Sequence, residues 1–224
     1  MLNRKTRYLQ IALNSTLENA AGIISSLPAS PRIIIEAGTP LIKRYGMDAV
    51  RKLNYWWSQK AVSAAFDPYI VADVKTMDRG ATEVFLAKDA GASAVIALGI
   101  APVETLDVFI KTCRENSVDS MIDVMNIDAP IKILRRLKTL PDVVILHRGV
   151  DEEKFNPDKP IPYLQINKIR SGYNTLIAIA GGDTIREVQR AIFNDADIVV
   201  VWKEFFSSGD QTAQLAGEFL RVIK

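Results

Sequence analysis

Residues 69–90 read Tyr-Ile-Val-Ala-Asp-Val-Lys-Thr-Met-Asp-Arg-Gly-Ala-Thr-Glu-Val-Phe-Leu-Ala-Lys-Asp-Ala. The first part, Tyr69–Lys75, is an apolar run that turns polar only towards its end. The second, Arg79–Ala90, spaces its apolar residues as one face of a helix. Strand, short polar turn and helix therefore follow each other directly, and the unit recurs along the chain. Strands are predicted at Tyr8–Leu13, Arg32–Glu36, Tyr69–Lys75, Ala94–Leu98, Ser120–Val124, Asp142–Leu146, Thr175–Ala180 and Asp197–Val201. The clearest helices are Arg79–Ala90, Pro102–Asn116, Ala129–Lys138, Ile185–Asn194 and Gln211–Ile223. The strands are continuous apolar blocks, the pattern of parallel strands covered on both faces.

Eight such units in 224 residues predict an α/β chain folded as a single compact (β/α)8 TIM barrel. A barrel of this kind commonly takes about 250 residues, whereas an open doubly wound sheet usually has about five or six strands. No linker, low-complexity tract or composition shift divides the chain. Local signals agree with the helix starts. Asp78 precedes the helix at Arg79, Pro102 suits a first turn, and Thr184 with Glu187 three residues on has capping-box spacing. Asp151–Gly172 is the least regular segment, crowded by Pro157, Pro160 and Pro162. It reads equally as a loop closing over substrate and as a stiff connection.

Composition narrows the chemistry. One histidine, His147, and one cysteine, Cys113, exclude a His- or Cys-rich metal site and an internal disulfide framework. Lys+Arg 28 against Asp+Glu 26 leaves a net charge of +2. With no long basic run, no nucleic-acid partner is expected. No apolar run approaches the roughly 20 residues of a membrane span, and the N-terminal stretch lacks a signal-peptide pattern. The expectation is a cytoplasmic protein with no membrane partner.

In a (β/α)8 barrel the chemistry sits at the carboxyl ends of the strands. The polar residues there are Asn14, Glu36, Asp73, Lys75, Asp78, Asp123, Asn126, His147 and Lys203, and the glycines Gly181 and Gly182 follow the seventh strand. The densest cluster is Asp73-Val-Lys75-Thr-Met-Asp78. Asp73 and Lys75, two apart on a strand, point to one face. A lysine kept cationic by flanking carboxylates can donate a proton or stabilise an enolate; the alternative is an ion pair that only closes the barrel floor. Glu36 with Asp73 can supply oxygen ligands to Mg²⁺, or Glu36 can accept N–H bonds from the Gly38–Thr39 turn. His147 ends an apolar strand and is the one imidazole available for proton transfer; the alternative is an ordinary core or surface histidine. Gly181–Gly182, between a strand and a helix, suits an anion, or simply makes a tight turn. Tyr55-Trp56-Trp57 reads as core packing or a subunit contact.

These residues resemble the orotidine 5′-phosphate decarboxylase superfamily, whose signature is the Asp-x-Lys-x-x-Asp pattern at Asp73, Lys75 and Asp78. Leu9–Leu13, Glu36–Ile42, Ile122–Ile127 and His147–Asp151 narrow the likeness to 3-hexulose-6-phosphate synthase and 3-keto-L-gulonate-6-phosphate decarboxylase, over about Leu9 to Lys224. The resemblance implies a homodimeric barrel with active sites near the interface, using Mg²⁺ and a phosphorylated sugar substrate. By matching position, Glu36 and Asp73 would be metal ligands. Lys75 and Asp78 would act on an enediolate, with Asp78 reaching the partner's site, and His147 would be the acid/base. Asn14, Asp123, Gly181, Gly182 and Lys203 would bind substrate. The implied reaction is an aldol lyase reaction, the addition of formaldehyde to ribulose 5-phosphate, acting alone or beside a formaldehyde-handling partner. The alternatives are decarboxylation of 3-keto-L-gulonate 6-phosphate or orotidine 5′-phosphate, or a diverged non-catalytic ligand-binding paralogue. Two departures stand out. Asn14 replaces the family's aspartate, and Val201-Trp202-Lys203-Glu204 replaces a Gly-Gly or Gly-Arg end that holds phosphate.

Overall fold

A strand read as a continuous apolar block needs apolar cover on both sides, and a closed barrel wrapped in helices provides it. The computed structural model describes the backbone of residues 1–224 and all side chains except those of residues 206–208. Its strands are β1 (Tyr8–Leu13), β2 (Ile33–Ala37), β3 (Ile70–Thr76), β4 (Ala94–Leu98), β5 (Asp119–Asp123), β6 (Val143–His147), β7 (Leu176–Ala180) and β8 (Ile198–Val201). Each pairs in parallel with the next, and β8 returns to β1 through Tyr8↔Ile198 and Gln10↔Val200. The predicted (β/α)8 TIM barrel is thus the observed architecture.

The strand side chains divide into two cores. Tyr8, Ile34, Val71, Ile96, Met121, Val143, Ile145, Leu176, Ala178 and Ile198 fill the barrel interior. Leu9, Ile11, Ile33, Ile35, Val95, Ile122, Val144, Ile177 and Val199 face outwards and pack beneath the helices. Trp57 belongs to the outer core, whereas Tyr55 is exposed. Among the described residues no helix is long and apolar enough to cross a membrane.

Local differences from the sequence expectations have physical causes. Thr184 and Glu187 do form the capping box. Asp78, by contrast, caps nothing: the N-cap is Arg79, in the left-handed region at φ 53°, and the helix spans Gly80–Asp89. Gly80 is required there, since a Cβ would sit 2.9 Å from the Thr105 carbonyl oxygen of the neighbouring helix. Pro102 is itself the N-cap of Val103–Glu115, and the helix expected over 129–138 is only Pro130–Leu134. Between β6 and β7 two short helices, Val150–Phe155 and Leu164–Arg170, flank the stretch holding the three prolines.

β3 is the irregular strand. Ala72 pairs with Val95, yet the next pairing is Thr76 with Ala97, so β3 inserts extra residues opposite β4. Lys75 lies within this bulge at φ 51°. Strained non-glycine backbone of this kind is costly and is held only by surrounding contacts. The side-chain direction of Lys75 is therefore set by the bulge rather than by simple alternation.

Candidate active site

The inward positions nearest the carboxyl ends of the strands open into one cavity of about 460 Å³. Of the residues singled out in the sequence, Asn14, Glu36, Asp73, Lys75, Asp123, His147 and Gly181 line it. Trp202, from the departing stretch after β8, also lines it, and Gln10, Thr39, Arg148 and Glu153 join them. Asp78 is exposed on the loop after β3 and lies outside this lining, as do Gly182 and Lys203.

The centre of the site is a chain of charges. Lys75 Nζ donates to Asp73 Oδ2 at 2.9 Å and to Asp123 Oδ2 at 2.6 Å. Asp123 Oδ2 also lies 2.8 Å from His147 Nδ1, while Asp123 Oδ1 accepts the Met125 N–H at 2.9 Å. Burial alone would raise the Asp123 carboxyl, but His147 and Lys75 outweigh it and hold it well below the usual carboxylate range. Burial likewise pulls Lys75 towards neutrality, and Asp73 and Asp123 more than offset this, holding the ammonium above the ordinary lysine value. An ionised Asp123 cannot donate, so the proton between it and His147 belongs to the Nδ1 of the imidazole. Both Asp123 oxygens serve the protein itself, which makes Asp123 the anchor of Lys75 and His147. The ion pair sits at the cavity; the floor is made elsewhere, by Tyr69 donating to Asp119 Oδ2 at 2.5 Å.

Glu36 is buried beside this chain. It accepts from Gln10 Nε2 at 2.5 Å, and the Gly38–Thr39 turn, whose N-cap has no side-chain bond, does not use it. Burial, then the nearby Asp73 charge, pushes the Glu36 carboxyl up to about 7 against the pull of Gln10, Lys75 and His147. Thr39 Oγ1 donates to Asp73 Oδ2 at 2.9 Å, and Asp73 Oδ1 is buried with no hydrogen-bond partner. Among the described residues no group of three or more His, Cys, Asp or Glu side chains is gathered for a metal. Two carboxylates lining one cavity, one oxygen unsatisfied and one carboxyl resisting ionisation, nonetheless suit a hard divalent cation that completes its shell with water and substrate.

The charged side chains of the rim beyond β6 to β8 pair with one another. The Asp183 carboxylate accepts the backbone N–H of Trp202 at 2.7 Å and of Lys203 at 3.3 Å. Burial raises the Asp183 carboxyl, and those two N–H bonds oppose the rise. Lys203 Nζ pairs with Glu153 and lies 3.8 Å from Asp183 Oδ2. The glycine requirement at Gly181 and Gly182 is also internal. At Gly181, φ 91°, a Cβ would sit 2.2 Å from the Arg148 carbonyl oxygen; at Gly182 it would meet Ile161 Cδ1 at 2.8 Å. Gln10, Thr39, Arg148 and Asp183 were not singled out from the sequence. Gln10 did carry a signal, as an amide inside an apolar strand at an inward position, whereas the carboxylate of Asp183 gave none.

A closed parallel barrel with a carboxylate–lysine–carboxylate–histidine chain at the carboxyl ends of its strands is a (β/α)8-barrel enzyme in architecture. More closely, the chain belongs to the orotidine 5′-phosphate decarboxylase / HUMPS family, whose model matches residues 7–216. It is 37% identical over 221 residues to the bifunctional enzyme Fae/Hps of Methanocella arvoryzae, covering 97% of this chain and 53% of that protein. With the Fae/Hps enzyme of Methanocaldococcus jannaschii the identity is 39% over 204 residues, covering 91% and 49%. The chain thus spans about half the length of the curated relatives it matches. The 3-hexulose-6-phosphate synthase structure from Salmonella typhimurium superposes with a TM-score of 0.82 at 25% identity, covering 96% of this chain and 98% of that one. KGPDC from Streptococcus mutans shares the fold, with a TM-score of 0.78 at 18% identity over 97% of both chains.

Proposed function

We propose that this chain is a Mg²⁺-dependent aldol lyase of phosphorylated ketoses that joins formaldehyde to ribulose 5-phosphate. The observation that carries this reading is the Asp73–Lys75–Asp123–His147 chain at the cavity, with Glu36 alongside. Likeness to a 3-hexulose-6-phosphate synthase structure and to Fae/Hps enzymes supports it.

His147, anchored through Nδ1, presents Nε2 as the base that takes a proton from the ketose carbon about to form the new bond. Lys75 keeps its ammonium and faces the negative charge that then develops on the ketose oxygens. That carbon attacks the formaldehyde carbon, and the former aldehyde oxygen takes the proton that His147 removed, so atoms and charge balance. Gln10 and Thr39 orient Glu36 and Asp73, which would hold Mg²⁺. The ion would supply Lewis-acid polarisation of the ketone. Asn14 lines the same cavity, as a substrate contact.

We read the working form as a cytoplasmic homodimer. Met77, Phe85, Leu86, Ile100 and Val108 are exposed on and beside neighbouring helices, an apolar face that suits a second copy. In that arrangement the exposed Asp78 reaches the partner's site. The test is formaldehyde consumption with ribulose 5-phosphate, with and without chelator. Consumption that chelation stops is expected; no consumption in the presence of Mg²⁺ overturns the proposal.

A further inference from the structure

The outward side chains of a barrel strand need cover from the helix layer. After β5 and after β6 that layer includes two short helices, Pro130–Leu134 and Leu164–Arg170, which pack on each other. A cleft of about 510 Å³ opens between these segments and the barrel wall, a size that suits a small ligand. Val124 and Leu146, both of the outer core, line it, whereas Ile145, next to Leu146 in β6, points inwards to the active cavity. The cleft and the cavity have only His147 and Arg148 in common. The prolines between β6 and β7 thus help to build a second concave surface, on the outside of the barrel.

Two features give the cleft a chemistry. The first is apolar surface: Ile127, Pro130, Ile161 and Pro162 line it beside the Tyr163 ring. Tyr163 is 9% exposed, and its hydroxyl donates to the Glu187 carbonyl oxygen at 3.1 Å, so the ring is held in place. The second is charge. Arg190, from the helix Ile185–Phe193, lays its guanidinium over that ring, 5.5 Å from the centroid, within cation–π reach. Among the described residues its side chain has no hydrogen bond or ion pair, so its N–H edge is left for an anion. The other cations of the lining are matched, Lys159 by Glu152 and Arg148 by Glu153 and Glu187. Asp128 adds one exposed carboxylate, which solvent screens.

We propose that this cleft is a second binding site, outside the barrel, for a flat aromatic ligand bearing one negative group. The ring lies among Ile127, Ile161 and Pro162, and the anion takes the N–H edge of Arg190. The probe is 1-anilinonaphthalene-8-sulfonate, an aromatic anion, followed by fluorescence titration of the full chain. Neutral N-phenyl-1-naphthylamine, titrated alongside, reports the apolar surface without the charge. Wild type should bind the sulfonate at least about fivefold more tightly than the neutral ring. Arg190→Gln should weaken the sulfonate about fivefold or more and leave the neutral ring within about twofold. Ile127→Trp, which fills the cleft, should weaken both about tenfold. Phe85→Glu, on the distant exposed apolar face, should leave both within about twofold.

Equal wild-type affinity for the two probes overturns the proposal, as does unchanged sulfonate affinity in Arg190→Gln. So does binding that Phe85→Glu removes and Ile127→Trp does not, or no binding by wild type at about 100 μM sulfonate. Arg190 is exposed, so Arg190→Gln should fold as wild type does, and it decides the question alone if Ile127→Trp does not fold. Probe uptake by partly unfolded chain would ignore Arg190 and so falls among the overturning results. Neither Arg190 nor Ile127 lines the active cavity. Absent turnover of ribulose 5-phosphate with the Arg190 effect intact would therefore count against the aldol reaction and leave this second site standing.

Discussion

Replacing Asp123 by Asn tests the centre of the site, because one buried carboxylate anchors two functional groups. Asp123 is 1% exposed, and its Oδ2 serves Lys75 at 2.6 Å and His147 at 2.8 Å. Removing one partner of a buried ion pair costs about 3–5 kcal/mol. Lys75 retains Asp73 at 2.9 Å, and the Asn oxygen can keep one of the two donors, so the low end applies, about 3 kcal/mol. For a chain of this size that lowers Tm by roughly 6–12 °C. The assay is urea unfolding of both proteins across a pH series, with the denaturant slope compared first.

The pH dependence has a definite sign. The folded carboxyl titrates below its unfolded value near 3.9. Its contribution is therefore complete above about pH 4 and is lost as pH falls towards the folded pKa. The stability gap between wild type and Asp123→Asn should be full at pH 7 and shrink progressively below about pH 4. Activity should fall by about 10²-fold or more, since the imidazole loses its anchor. A variant within about 0.5 kcal/mol of wild type at pH 7, or a gap that persists unchanged in acid, would refute the reasoning.

The remaining predictions are shorter. Lys75 sits at φ 51°, so Lys75→Gly should fold more stably than Lys75→Ala by about 1 kcal/mol; both should lose turnover, and activity in either removes Lys75 from the mechanism. Gly181→Ala forces a Cβ to 2.2 Å from the Arg148 carbonyl oxygen, and urea unfolding should register a loss above about 2 kcal/mol; near-neutral behaviour would mean that this loop relaxes freely. Glu36→Gln should abolish any Mg²⁺-induced rise in melting temperature yet raise that of the metal-free protein, because a neutral amide replaces a buried carboxylate beside Asp73. If Mg²⁺ still stabilises the variant, Glu36 is not a ligand. Phe85→Glu places a charge on the exposed apolar face and should turn a dimer into a monomer in light scattering; an unchanged mass assigns the interface elsewhere.

The eight strands and most of the site were legible in the chain because each rests on a local pattern. Strands covered on both faces must be apolar throughout, so a polar residue ending such a block marks the rim. Glu36, Asp73, Lys75, Asp123 and His147 were all recognisable that way, and they do meet in one cavity. Gln10 carried the same signal from within a strand. The bulge in β3 was not legible, since pairing register depends on the neighbouring strand rather than on Asp73-Val-Lys75 itself. Asp78 looked like part of the same cluster, but the turn after the bulge carries it out to solvent.

By itself, then, the sequence determined the repeating strand–helix unit, the closed barrel and the identity of the rim residues, all consequences of short-range periodicity and burial. Only the tertiary structure decided which partner each charge takes. Asp123 became the anchor of Lys75 and His147, and Asp183 took the amides of Trp202 and Lys203 from 19 and 20 positions away. Lys203 was drawn out of the cavity lining, and Arg148 was set against Gly181. Ionic pairing follows distance in space, and barrel closure brings together strand ends that lie far apart in the chain.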